Sequence, residues 1–407
     1  MSADPSSPIP FKVSIPDEDV VRMMRLIKET KLPDQPFLSD ASWDYGLDLK
    51  WLKEMRDVWV NDFDWKEVEK DMNAFEHFHV PIEGVNLHFI YQRSPRADAV
   101  PILLSHGWPG SFWEFHRIIE LLTNPPADEP AFHVVIPSLP GFGFSSPPIK
   151  QGWTMGDNAR IFDHLMTGVL GHSSYMAQGG DWGSFVTRIL GSDAFPACKL
   201  INLNMLNGPP TIGALLTLPF FLLPTSWRQW LYRHIYSEEE LRDLSRSVHF
   251  VKTGLGYLLE NQTRPLTIGY ALYDSPVGLL AWIGEKYKEH VDPEIFPDRI
   301  HDMLAIISLY YLSGSFPTSN LPYKENAIFG QKHVITKPYG LSQFPYDIFI
   351  NPLPWLKATS PNLVFVRRHV WTFRCPRSSG VASWGLARNG CTKPVPHFVF
   401  LIYSASR

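Results

Sequence analysis

Cysteine is scarce, and that scarcity excludes two classes at once. Cys198, Cys375 and Cys391 are the only three in 407 residues. Three cysteines do not make a disulfide framework, and without a CxxC pair they do not make a zinc cluster. An excess of one charge is also lacking: 37 Lys and Arg stand against 41 Asp and Glu, a net charge of -4. That leaves no basic footprint for nucleic acid. Long hydrophobic runs are missing too. The longest, Ile212 to Pro224, is broken by Thr217 and Pro219 and falls short of the roughly 20 residues that span a bilayer. It reads as a buried loop or helix of a lid; the other reading is a membrane-touching or substrate-entry lip. The start, Met1 to Pro10, is polar and proline-rich. With no basic stretch ahead of an apolar one, it carries no signal-peptide pattern. Gly-x-Ser-x-Gly, a P-loop and HExxH do not occur. Serine esterase chemistry is therefore disfavoured.

What is present is apolar and aromatic. Hydrophobic residues make up 44%, aromatics 14%, and mean hydropathy is -0.11. A large core is affordable, and wholesale disorder is excluded. Residues 11 to 80 read as helical, with Trp43, Trp51, Trp59 and Trp65 as anchors. Trp51, Met55 and Trp59 repeat at helix-face spacing. The period then changes. Short apolar runs at 85–91, 101–105, 132–136, 175–178, 200–203 and 363–366 read as strands. Separated by helical stretches, they predict a mostly parallel sheet covered on both faces. Residues 208 to 325 hold no convincing strand and read as a helical lid over the sheet's C-terminal edge, where open α/β sheets bind ligands.

Two motifs carry chemistry. Gly179-Gly180-Asp181-Trp182-Gly183 follows an apolar strand and precedes a helical run. It has the shape of a nucleophile elbow with aspartate in the serine position. The glycines suit a sharp turn, and the helix N-terminus favours a carboxylate. Alone, the motif leaves an ordinary N-cap aspartate open. His106-Gly107-Trp108-Pro109-Gly110 follows the second apolar strand. A loop there donates an N–H to an oxyanion hole, so the Trp108 and Trp182 N–H groups are the expected donors. His106 has no partner at metal-ligand spacing, and His77, His79 and His88 read as strand or surface residues. The loop Pro140 to Ser146 keeps only two glycines of a dinucleotide fingerprint.

On these residues the chain resembles the microsomal-type epoxide hydrolases, in particular the soluble fungal members. The resemblance runs from about Phe11 to His369 through HGWPG, PSLPGFGFSS, QGGDWGS, Thr263-Arg264-Pro265, Leu280 to Tyr287, and Lys337-Pro338 onward. Relatives with a membrane anchor carry it ahead of the helical meander, and this chain shows none. The resemblance implies an α/β-hydrolase fold with a helical lid and an N-terminal meander. It implies Asp181 as nucleophile, Trp108 and Trp182 as oxyanion donors, and Tyr257 and Tyr323 as lid proton donors. It also implies Asp347 as the acid that orients a catalytic histidine, with no cofactor or metal. A phenol with a pKa of about 10 keeps its proton at neutral pH and can release it to a developing alkoxide. Alone, each tyrosine reads as lid packing, and Asp347 reads as a surface-loop acid.

The expected histidine is not in place. Gly-Gly-His-Phe-Ala-Ala-Leu-Glu should follow His369, but the chain reads Val370-Trp371-Thr372-Phe373-Arg374-Cys375. All 41 acids precede Ile348. Written as TGG ACA TTT CGC TGC CCT CGA AGC TCC, Trp371 to Ser379 read one base later spell Gly-His-Phe-Ala-Ala-Leu-Glu-Ala. The expectation is a tail, 370–407, that is out of frame, with His369 structural rather than a substitute base.

The expected organisation is a meander at 1–80, hydrolase core at 81–207, lid at 208–325, second core part at 326–369 and the aberrant tail. The expected function is conversion of a small apolar epoxide and water to a vicinal diol, in the cytoplasm, with homodimerisation an open question. Two alternatives stand beside it: a haloalkane dehalogenase-like aspartate hydrolase, and a degenerate homologue that binds apolar ligands without turnover.

Overall fold

A computed structural model describes residues 7–40, 42–206, 234–326, 335–354, 356 and 361–369. The chain begins with β1 (Ile9–Phe11), α1 (Asp17–Glu29), α2 (Leu49–Asn61) and α3 (Trp65–Met72). Asp48 starts α2 by accepting the Trp51 N–H at 2.8 Å. Trp51, Met55 and Trp59 share its buried face, as their spacing predicts.

A nine-stranded sheet follows, formed with β2 (His77–Ile82), β3 (Val85–Gln92), β4 (Val100–Ser105), β5 (Phe132–Pro137), β6 (Tyr175–Gly179), β7 (Cys198–Leu203), β8 (Tyr339–Gln343) and β9 (Leu363–Arg368). The order is β1-β2-β3-β5-β4-β6-β7-β8-β9. β1, β2 and β3 pair antiparallel, as does β3 with β5; all later pairs are parallel. The helices α4 (His116–Thr123), α5 (Met155–His164) and α6 (Trp182–Leu190) make the crossovers between β4, β5, β6 and β7. Parallel neighbours need such crossovers, which cover the sheet and let its strands be apolar throughout.

Three strands escape the sequence reading. β1 and β2 overlap the two ends of the stretch read as helical, at Phe11 and at His77 to Val80. His77-Phe78-His79-Val80 has period two, but its pairing with β3 decides the conformation. β8, Tyr-Gly-Leu-Ser-Gln, lacks an apolar run, yet all five residues are buried. A Cβ on Gly340 would sit 1.9 Å from the Phe365 ring, so the glycine exists to admit that ring. Of the two readings of the histidines, the strand one holds for His77 in β2 and His88 in β3; both are buried and hydrogen-bond each other at 2.9 Å.

Between β7 and β8 come α7 (Glu238–Thr253), α8 (Gly256–Thr263), α9 (Pro265–Leu272), α10 (Pro276–His290), α11 (Ile300–Leu312), α12 (Phe316–Ser319) and α13 (Leu321–Glu325). No strand interrupts them among the described residues. Their starts are written in the sequence: Ser237 and Glu240 form a capping box, and Pro265 and Pro276 occupy first turns. The first helical layer braces this one. A Cβ on Gly284 would meet Trp51 at 2.8 Å, and Trp51 lies 6.1 Å from the Phe296 ring. The apolar run at Ile212 to Pro224 and the tail from Val370 lie outside the described residues.

The loop after β5 pins the strand β3. Ser145 Oγ accepts the His88 N–H and Ser146 Oγ the Asn86 N–H, each at 2.9 Å, while Thr318 Oγ1 donates to Gly141 O at 2.6 Å. Its serines and glycines thus tie β3 to α12.

Candidate active site

β6 ends at Gly179, and α6 begins at Trp182. Asp181 makes the turn with φ 49 and ψ -124, one of two described non-glycine residues at positive φ. Such a conformation is costly and persists only where the surroundings enforce it. The enforcement is close packing. A Cβ on Gly179 would lie 2.1 Å from Gly183 O, and one on Gly183 would lie 2.0 Å from Ser105 O. The strain therefore sits on Asp181 itself, and the glycines serve close approach.

Asp181 occupies the N-cap position of α6, yet its side chain makes no capping bond. Its Oδ1 instead accepts the Trp108 N–H at 2.8 Å, and the Trp182 N–H also bonds the carboxylate. Trp108 belongs to the loop after β4, and its peptide to Pro109 is cis. A Cβ on Gly107 would lie 2.3 Å from Asp181 Oδ1, so this loop can carry no side chain there. Burial pushes the Asp181 carboxyl up to about 6, against the pull of the two N–H donors. It remains a carboxylate at neutral pH.

Two phenols close over it from the lid. Tyr257 on α8 and Tyr323 on α13 are buried and hydrogen-bond each other. Burial first holds each well above the ordinary phenol range; the negative charge of Asp181 comes next for Tyr257, and Tyr257 and then Asp181 for Tyr323. Both are protonated donors at neutral pH. Their rings lean on the loop residues: Trp108 stacks on Tyr257 at 5.3 Å, and Trp182 meets Tyr323 edge-on at 4.9 Å. The Lys286 ammonium lies 4.9 Å from the Tyr257 ring centroid and pairs with Glu285.

Asp347 follows β8. Read alone it is a surface-loop acid; in the fold it is half-buried and enclosed, accepting the Ile348 N–H at 2.7 Å. Burial, with a lesser push from Asp181, raises it to about 7. It lines a small pocket with Asn204, Gln343 and Asn351. His369 stands just past β9. Its ring stacks on Phe344 at 4.6 Å, and its N–H donates to Gln343 O at 2.9 Å. It lines a different pocket, with Glu239 and Asp243. His397 and the rest of the tail lie outside the described residues. His106 is buried and structural, accepting the Leu139 N–H at 3.1 Å. No metal-binding cluster of His, Cys, Asp and Glu occurs among the described residues.

Sequence reading missed Glu114. It sits in the 3-10 turn Phe112–Phe115, where its carboxyl accepts the Ser111 N–H and feels the charge of Asp181. The signal was Ser111-x-x-Glu114, a capping-box pattern directly after the HGWPG loop.

The geometry brings together a strained carboxylate, two N–H donors and two protonated phenols. Such a set can attack an electrophilic carbon and protonate the oxygen it releases. Comparison with known proteins points the same way. Residues 8–115 match the family described as epoxide hydrolase N terminus, and 100–265 match the alpha/beta hydrolase fold. The chain is 36% identical to a putative epoxide hydrolase of Stigmatella aurantiaca, over 88% of this chain and 78% of that one. It is 35% identical to epoxide hydrolase 1 of Sus scrofa, over 89% and 84%. The solved structure of Aspergillus niger epoxide hydrolase superposes with a TM-score of 0.75 at 40% identity, covering 89% and 90%. Juvenile hormone epoxide hydrolase from Bombyx mori gives 0.76 at 28%, covering 90% and 89%.

Proposed function

The chain belongs to the epoxide hydrolases of the α/β-hydrolase fold, and from that premise we propose that Asp181 opens the epoxide by forming an ester. The observation that carries the assignment is the 2.8 Å bond from Trp108 N–H to Asp181 Oδ1. It divides the two carboxylate oxygens. Oδ1 stays with the N–H donors, and Oδ2 attacks an oxirane carbon. Tyr257 and Tyr323 hold the oxirane oxygen and give it a proton as the C–O bond breaks. The ester carbonyl oxygen is then Oδ1, already in its oxyanion hole. Water attack on that carbonyl puts negative charge where the donors wait, and collapse releases the diol.

The substrate is a small apolar epoxide, since rings dominate the walls around the two phenols. We read the enzyme as soluble and cytoplasmic; no helix among the described residues is long and apolar enough to cross a membrane. A dehalogenase reading is not favoured, because the relatives are epoxide hydrolases and two phenols suit an oxygen rather than a halide. Asp347 is assigned to orienting a histidine that this chain lacks in the matching position.

The test is Asp181→Asn. An amide is a much weaker nucleophile, and intact-mass measurement after adding a simple aryl epoxide should show no adduct. An adduct of epoxide mass on the variant, or unchanged diol production, would remove Asp181 from the role.

A further inference from the structure

The HGWPG loop runs between two carboxyls, and each of its glycines makes room for one. A Cβ on Gly107 would strike Asp181 Oδ1 at 2.3 Å, and a Cβ on Gly110 would strike Glu114 Oε2 at 2.0 Å. Glu114 keeps accessible surface in a turn whose other side chains are buried. Its turn neighbours Phe112, Trp113 and Phe115 are buried. One of its carboxyl contacts is structural, the Ser111 N–H. A cap needs only one oxygen, which leaves the other able to take a proton.

We propose that Glu114 is a catalytic base of this protein: it takes the proton of the water that hydrolyses the Asp181 ester. The inference rests on Asp181 forming that ester, as argued above.

The electrostatics give the timing. In the free enzyme, burial and then the Asp181 charge push the Glu114 carboxyl up to about 8, against the Ser111 N–H, so it is protonated at neutral pH. The other titratable groups that face it are Tyr287 on α10 and Tyr310 on α11, both raised by burial and by Glu114 itself; Asp302 acts on Tyr287 beyond. Tyr310 donates its hydroxyl to Gly110 O at 2.7 Å, so it makes no competing claim on the carboxyl as a donor. Alkylation turns Asp181 into a neutral ester. Burial still raises Glu114, but the added push from the Asp181 charge is gone, so Glu114 ionises at a lower pH in the ester than in the free enzyme. The proton it gives up replaces the one that ring opening takes from the lid phenols.

The step balances. A water O–H bond breaks, its proton goes to the Glu114 carboxylate, and its oxygen bonds to the ester carbon of Asp181. The carbonyl electron pair moves to Oδ1, under the Trp108 and Trp182 N–H groups. Collapse expels the alkoxide, which takes the proton of the regenerated Asp181 carboxylic acid and leaves as diol. Glu114 ends protonated beside a charged Asp181, as in the free enzyme.

The experiment uses the full chain and a simple aryl epoxide, with ester formation followed by intact mass and ester loss by diol release. Glu114→Gln keeps an acceptor for Ser111. It should form the ester at a rate within about twofold of the parent and lose it at least about tenfold more slowly, since a general base is worth roughly 10²–10⁴-fold. In the unaltered protein, ester loss should rise with pH through one ionisation below about 8, and Glu114→Gln should flatten that rise. Equal rates of ester loss in the two proteins, or a flat profile in the unaltered one, would overturn the proposal. The profile needs no variant, so a poorly folding Glu114→Gln leaves the question decidable. Absence of any ester in the unaltered protein would instead strike the Asp181 assignment.

Discussion

Trp108 and Tyr257 stack face to face, with ring centroids 5.3 Å apart and planes 11° from parallel. The backbone of Trp108 holds the Asp181 carboxylate, and its side chain carries a lid phenol. One residue therefore sets the distance between the Asp181 carboxylate and the Tyr257 phenol, the pair we propose as attacking acid and proton donor. The arrangement ties the lid to the sheet's C-terminal edge.

Tyr257→Phe and Tyr323→Phe should each slow ester formation, and the double change should nearly stop it. The hydroxyls bond each other above Asp181, so either can cover partly for the other and the effects should not add. Rapid-quench measurement of the ester in the three variants checks this. Unchanged alkylation in both single variants would reduce the tyrosines to packing residues.

Gly107→Ala should lose alkylation by roughly 10²-fold while the protein stays folded, because a misplacement of about 1 Å at the reacting group has that cost. The added methyl would lie 2.3 Å from Asp181 Oδ1 and 2.4 Å from its Cβ. It must push the carboxylate off its N–H donors. Circular dichroism and ester formation, measured together, separate displacement from unfolding.

As the proposed nucleophile, Asp181 should attack carbon only in its carboxylate form. With its pKa pushed up to about 6, ring opening should be full above neutral pH and fall about tenfold per unit on the acid side. The sign for stability is opposite. A carboxyl whose folded pKa is raised binds its proton more tightly when folded, so its contribution is largest in acid and declines as pH rises through about 6. Asp181→Asn should therefore unfold at a higher denaturant concentration at pH 7 than the parent. A lower midpoint for the variant would contradict the burial cost assigned to the charge.

The chain as it stands should alkylate faster than it turns over. Asp181, Tyr257, Tyr323 and Asp347 are present, but the matching histidine is not. Glu114 then has to act without that histidine, and the loss of one of two bases slows ester loss, by up to the roughly 10²–10⁴-fold worth of a general base, so an adduct should accumulate. A tail carrying Gly-Gly-His-Phe-Ala-Ala-Leu-Glu should restore turnover and improve solubility. Transcript reads beyond the His369 codon decide whether such a tail is encoded; an intact frame through Arg407 with no alternative would end the frameshift explanation. Fast multiple turnover without a trapped adduct would show that a base present in this chain suffices.

The sequence by itself determined the parts whose signals are local. The Gly179-Gly180-Asp181-Trp182-Gly183 turn, the HGWPG loop, the parallel strands and the proline-started helices are each legible, because a sharp turn, a buried strand and a first helical turn admit few residue types. Tertiary structure alone decided the rest. β8 is a strand because its neighbours pair with it and the Phe365 ring needs the space at Gly340. His77 and His88 are interior because β2 folds back on β3. Asp347 is enclosed rather than exposed because distant segments pack around it. Glu114 feels the charge of Asp181 only because the loop from Gly107 to Gly110 packs against both carboxyls. The pKa shifts follow the same division. A residue's type is local, but burial and neighbouring charge are properties of residues far apart in the chain, and these set what each acid at the site can do.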